Sequence, residues 1–190
     1  MIQKPYGYDT APIYGTGDLE RVTPGGHICQ IRWVKVEPDP RSGERIMKVA
    51  FDLAPQDAQA GIYQRIFGAR QQSAGIDAQW PAVYRQNLDG KGTPYFKGFV
   101  TSIEKSNAGY VWNWDETTLK GKLFGGVFRI EEFRGTDGNV HETVRISAVR
   151  SIDTVLDAAV PDPKRLSDNG ASAAAYAPDQ SAVAQEQLPF

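Results

Sequence analysis

Alternating apolar and polar positions predict a β-hairpin in the first third of the chain. Across residues 27–36 the apolar side chains recur with a period of two, and the phase changes between Trp33 and Val34. That change predicts a strand with a bulge. A turn-forming cluster at 38–43 follows, and strict alternation resumes through 47–53. The two strands should therefore pair with each other.

The second half of the chain predicts a helix and then another hairpin. Thr93 and the proline after it are typical of a helix start, and apolar residues continue at helical spacing through 95–103. A shorter helix is expected around 62–67. The stretches 120–133 and 140–150, joined by a Gly-rich turn, predict a second hairpin. The fold class is therefore mostly β with one or two helices.

The composition divides the chain into three parts. Residues 1–26 are rich in Gly, Pro and Tyr without periodicity, which indicates an N-terminal arm. Residues 27–160 contain the predicted strands and helices and form the main domain. Residues 161–190 are dominated by small and polar residues, which bury too little apolar surface to offset the entropy of ordering them. We expect this last part to be a disordered linker and tip.

Charge and composition exclude several classes of protein. The formal net charge is -2, and the acids of the last 30 residues account for all of it, so the body is neutral. One cysteine and two histidines are too few for a disulfide scaffold or a structural zinc site, and no cofactor is expected. No stretch approaches the ~20 apolar residues that span a bilayer. We expect a soluble, cytoplasmic protein.

The chain ends in a short apolar peptide. Leu188, Pro189 and Phe190 follow a segment that is otherwise small and polar. Phe190 combines an aromatic ring with the terminal carboxylate, which suits an apolar pocket lined with basic residues on another protein. These three residues are a predicted partner-binding tip.

The layout resembles that of single-stranded DNA-binding (SSB) proteins encoded by phages. A globular body, a low-complexity linker and a terminal Leu-Pro-Phe are arranged in the same way, and the body resembles those proteins over roughly residues 4–155. The resemblance implies an OB-like antiparallel β-barrel, a single-stranded DNA (ssDNA) partner, and replication or recombination proteins that bind the tip. A host bacterial cytoplasm follows, and self-assembly is left open. Four stretches carry the likeness: Gly25-Gly26-His27-Ile28-Cys29, Phe96-Lys97-Gly98-Phe99-Val100, Trp112-Asn113-Trp114-Asp115 and Leu119-Lys120-Gly121-Lys122.

Aromatic and basic residues supply the candidate binding site. Aromatic residues are concentrated between positions 80 and 114, where bases also outnumber acids, and ssDNA is held by stacking on aromatic rings beside cations. With strand periodicity, Trp112 and Trp114 should point the same way. Arg41 and Arg134, near the hairpin turns, are predicted clamps. The predicted nucleic-acid-binding residues are Arg32, Lys35, Lys48, Trp80, Tyr84, Arg85, Trp112, Trp114, Lys122, Arg129, Arg134 and Arg145.

Catalysis has little support in the sequence. Glu131 and Glu132 are adjacent, so on a strand they face opposite sides and cannot act as a carboxylate pair. No nucleophile-elbow or phosphate-loop pattern occurs. We therefore expect a non-catalytic protein that binds ssDNA without sequence preference. Two alternatives stay open: a structural virion β protein, and a nuclease that holds Mg²⁺ through scattered carboxylates.

Overall fold

A computed structural model describes residues 3–7, 20–74 and 78–166. Its centre is one antiparallel sheet of five strands in the order β3-β2-β1-β4-β5. The prediction of a mostly β protein is confirmed. The strands are β1 (Gly25–Pro38), β2 (Arg45–Leu53), β3 (Val83–Asn87), β4 (Leu123–Arg134) and β5 (Val140–Arg150).

The first strand holds the sheet together. Residues 25–30 pair with β4, and residues 29–38 pair with β2 on the other side. The register shifts between Ile31 and Trp33, so the predicted bulge is confirmed, but it lies before Trp33 and not between Trp33 and Val34. Because a bulge bends a strand and increases its twist, β1 can serve two neighbours in different directions.

The strand order is consistent with the OB-like fold that the resemblance implies. A closed barrel would need β3 and β5 to pair with each other. No such pairing occurs within residues 3–7, 20–74 and 78–166, and both strands lie at the edges of the sheet. The architecture shown is therefore an open five-stranded sheet.

In the part of the chain that the structure describes, three α-helices accompany the sheet: α1 (Ile62–Ala74), α2 (Thr93–Ser106) and α3 (Ile152–Val155). The start of α2 has proline in its first turn, as predicted, and its inner side buries Phe99 and Ile103. Rings from the sheet, Phe51 and Phe124 among them, pack edge to face with each other and with Phe99. The main core therefore lies between α2 and one face of the sheet.

A smaller core forms where α3 packs on β1 and β4. A Cβ atom at Gly26 would lie 1.7 Å from the carbonyl oxygen of Val155, and one at Gly125 would lie 2.5 Å from the Val155 Cβ. Both positions therefore need glycine for the helix to approach this closely. Val155 is fully buried there with Ile28.

The course of the backbone differs from the sequence-based expectations in the following places. Strand β3 was not predicted, because five residues that alternate between buried and exposed are too short a pattern to stand out. Trp112 and Trp114 lie in the loop between α2 and β4 and not on a strand. Residue 164 was expected in the disordered linker, but the backbone of Lys164 forms hydrogen bonds with the backbone of Ile130 and Glu132 on β4.

Within the described residues, no helix is both long and apolar enough to cross a membrane.

Candidate nucleic-acid interface

The sheet face opposite the main core carries a row of cations across three strands. Lys35 of β1 lies directly opposite Lys48 of β2, which lies directly opposite Arg85 of β3. The side chain of Lys35 is 67% exposed and that of Lys48 is 26% exposed. Like charges directly opposite each other oppose sheet formation. We call this surface, defined by Trp33, Lys35, Lys48, Val83 and Arg85, the outer face.

An apolar row lies next to the cations on the outer face. Trp33 is opposite Ala50, and Ala50 is opposite Val83. Ala50 is fully buried between them, whereas Trp33 keeps 42% of its surface exposed. The two rows are two residues apart along each strand, about 7 Å. An indole ring with an open surface therefore lies beside a line of positive charge.

One carboxylate partly neutralises the cations. Glu37 contacts both Lys35, at 2.8 Å between Nζ and Oε2, and Lys48. Hydrogen bonds first from Lys35 and then from Lys48 lower the pKa of Glu37 to about 2. The carboxylate is therefore charged at neutral pH, and the row keeps a net positive charge.

Arg32 and Trp80 form a second aromatic and basic pair. The guanidinium of Arg32 lies 5.5 Å from the centre of the Trp80 ring and donates a 2.6 Å hydrogen bond to Gln64 of α1. Trp80 donates its indole N–H to the carbonyl of Phe51 and packs against Phe67. These contacts fix Trp80 against the body with an arginine over its ring.

Tyr84 belongs to the core and not to a binding surface. It lies on β3 between exposed neighbours, so its side chain points to the opposite face from Arg85. Its ring packs against Phe99, and its hydroxyl bonds to Gln86. The predicted stacking role is corrected because the strand alternation turns this ring inward.

Trp112 and Trp114 occupy different environments in the loop after α2. Trp112 packs edge to face against Phe96, and its indole nitrogen is buried without a hydrogen-bond partner in the described residues. Trp114 is 79% exposed and has a φ of 67°, a conformation that bulky residues rarely adopt. Asp115 and Asn113 hold the backbone around it. Trp114 is therefore open to a ligand and Trp112 is largely packed.

Lys122 joins this loop to the first strand. Its carbonyl accepts a 2.9 Å hydrogen bond from the backbone N–H of Ile31, immediately before Arg32. Its ammonium lies 4.4 Å from the centre of the Tyr110 ring. A cation paired with an aromatic ring therefore lies next to the bulge of β1.

The two predicted arginines of β4 and β5 lie in a different environment from the cations of the outer face. Arg129 and Arg145 lie directly opposite each other, but Arg129 is only 8% exposed and bonds to Glu131 at 3.0 Å. It also lines a pocket with the segment 158–161. The predicted DNA contact at Arg129 is corrected, since this side chain is buried and already paired. Arg145 is exposed.

The predicted clamps lie at the two hairpin turns. Arg41 is exposed in the turn between β1 and β2, where its backbone N–H bonds to Asp39. Arg134 donates a hydrogen bond to the carbonyl of Gly138 across the turn between β4 and β5.

The predicted partner-binding tip of Leu188, Pro189 and Phe190 lies outside the described residues.

Sequence reasoning missed Trp33 as a site residue. In the sequence, Trp33 continues the apolar alternation of Cys29 and Ile31, which favours a core position for its ring. The signal was the phase change itself, because a bulge after Ile31 moves Trp33 to the face of Lys35.

Among the described residues, no group of three His, Cys, Asp or Glu side chains could hold a metal ion.

Comparison with known proteins adds no family to this picture. No protein-family model matches the chain, and no curated protein matches it.

Proposed function

We propose that this protein binds ssDNA on its outer face, without preference for base sequence and without catalysing a reaction. The observation that carries the proposal is the row of Lys35, Lys48 and Arg85 beside the half-exposed ring of Trp33. Single strands are held by cations that follow the phosphates and by bases that stack on aromatic rings. The resemblance to phage SSB proteins favours a role in phage DNA replication and recombination.

The geometry also supports a path for the strand beyond this row. Arg32 lies next to Trp33 in the chain, and Lys122 is joined to the same part of β1 by backbone bonding. Arg41 lies in the turn at the far end of the β1–β2 hairpin. A DNA strand that crosses the outer face therefore has cations on either side of the central row.

A titration of tryptophan fluorescence with oligo-dT tests the proposal. We expect quenching at low salt, weaker binding to duplex DNA, and loss of affinity as salt rises. Lys35→Ala should weaken binding, and Lys97→Ala, which removes the same charge from an exposed position on α2, is the matched control. Absence of any response contradicts the proposal and favours a structural virion protein. Metal-dependent loss of the oligonucleotide would instead indicate a nuclease.

We further propose that Leu188, Pro189 and Phe190 recruit replication or recombination proteins. The support is their sequence alone: a leucine and an aromatic ring flank a stiff proline behind a small and polar segment. Deleting 187–190 should abolish capture of such enzymes from host lysate, while ssDNA affinity stays unchanged. Equal capture with and without these residues would refute this role.

A further inference from the structure

Glu37 holds two of the outer-face cations at once. Its Oε2 lies 2.8 Å from the Nζ of Lys35, and its Oε1 contacts the Nζ of Lys48. The two lysines are directly opposite each other on neighbouring strands, and Glu37 lies two residues beyond Lys35 on the same face. One anion, using two oxygens, therefore bridges two strands at the centre of the candidate interface.

We propose that Lys35 and Lys48 form a phosphate subsite and that the carboxylate of Glu37 occupies it in the free protein as an internal competitor of the DNA backbone. The inference rests on the proposed function, because it assigns a ligand chemistry to that same site. It adds that the subsite opens only when Glu37 moves away from the lysines.

The chemistry of the two anions supports this assignment. Carboxylates and phosphates both accept charge-assisted hydrogen bonds through two oxygens, so a pair of ammonium groups that holds one can hold the other. Cross-strand neighbours have Cβ atoms only about 5 Å apart, so both lysines can reach a single phosphate. The lowered pKa of Glu37 keeps the carboxylate charged at neutral pH, so it competes with phosphate in its charged form.

Arg85 provides a first contact for the DNA strand. It lies opposite Lys48 at the end of the row and forms no ion pair within the described part of the chain. A phosphate can therefore bind Arg85 first, and the next phosphate then competes with Glu37 for the lysines. The free protein also avoids the full repulsion of three adjacent cations, because Glu37 offsets part of it.

The test compares Glu37→Gln with Glu44→Gln, which removes the same charge from the turn of the same hairpin. Binding of a fluorescein-labelled oligo-dT is measured by anisotropy at several salt concentrations. We expect Glu37→Gln to bind roughly 3- to 10-fold more tightly than wild type, with a salt slope steeper by about 0.7 for one additional phosphate contact. Glu44→Gln should change affinity by less than about twofold. Equal affinities for the two variants would overturn the proposal.

A second comparison separates this inference from the proposed function. In a Lys35→Ala background, the gain from Glu37→Gln should shrink, since the subsite is already incomplete. A gain that persists in full would show a general effect of charge and overturn the subsite. If wild type binds and only the gain is missing, the inference fails alone. If neither wild type nor any variant binds oligo-dT, the proposed function fails and the subsite fails with it. Circular dichroism melts confirm that each variant is folded.

Discussion

Two pairs of cations face each other across neighbouring strands, and they end in opposite environments. Lys35 and Lys48 lie on the outer face, where Lys35 is 67% exposed. Arg129 and Arg145 have the same cross-strand relation on β4 and β5, but Arg129 is 8% exposed and bonded to Glu131. The segment 158–161 borders the Arg129 pocket. Both pairs point away from the main core, because Lys48 follows the core residue Met47 and Arg129 follows the core residue Phe128. The difference is the later chain segment, which covers this face at Arg129 and leaves it open at Lys35.

The largest expected effect is on folding at the buried arginine. Arg129→Ala leaves the half-buried carboxylate of Glu131 without this partner, which should lower the free energy of unfolding by about 2–4 kcal/mol. Arg145→Ala should cost less than about 0.5 kcal/mol, since its side chain is exposed. Urea unfolding of both variants gives the measurement. Equal stability losses would contradict the contrast between the two sides of this pair.

Trp33 should matter more for binding than for folding. Trp33→Ala removes the open ring beside the cation row, and we expect it to weaken ssDNA binding by about 1–3 kcal/mol. Trp112→Ala removes a ring that packs against Phe96, so it should lower stability more than affinity. Thermal unfolding and oligo-dT titrations on the same preparations separate the two effects. A Trp33 variant that melts early but binds normally once folded would place this residue in the core.

A smaller effect is expected at the exposed end of the cation row. Arg85→Ala should reduce ssDNA affinity modestly and lower the salt slope by about 0.7, the value for one lost phosphate contact. Arg145→Ala should leave the slope unchanged if the β4–β5 pair stays away from the DNA. The slope is obtained from titrations between 50 and 300 mM NaCl, on the order of the range where such effects are resolved. An Arg145 variant with the larger change would move the interface to the β4–β5 end of the sheet.

The smallest expected effect is on the pH dependence of stability. Lys35 lowers the pKa of Glu37 to about 2, and Arg45 does the same for Asp89. A lowered folded-state pKa contributes stability that is present above the unfolded value near 4 and is lost as pH falls toward 2. Urea unfolding between pH 7 and roughly pH 2.5 should show this loss, and Glu37→Gln should make the profile flatter. Identical profiles for wild type and Glu37→Gln would contradict the ion pairs.

Local patterns predicted four of the five described strands and the main helix because these patterns are longer than that of β3. Strand β1, its bulge at Trp33 and helix α2 all follow from periodicity over ten or more residues. Strand β3 escaped prediction since it has only five residues and is recognised by its pairing with β2. Long-range pairing of this kind leaves little trace in the local sequence.

The sequence predicted which residue types form the candidate site, but only partly which of them share one surface. The register of β1, β2 and β3 is what brings Lys35, Lys48 and Arg85 into one row, and no local spacing contains that register. Tyr84 was assigned to the site by its neighbours in sequence, although strand alternation turns it inward. The loop of Trp114 depends on capping by Asp115, a side-chain contact that periodicity does not report.

The central claim is that ssDNA lies across the outer face, and photocrosslinking tests it most directly. A dT oligonucleotide that carries 5-iodouracil is irradiated with the protein at low salt, and the adducts are located by peptide mass spectrometry. We predict that the main adduct forms on Trp33, since its ring is half-exposed beside Lys35 and Lys48. Adducts confined to β4 and β5, or none at any salt concentration, would contradict the account.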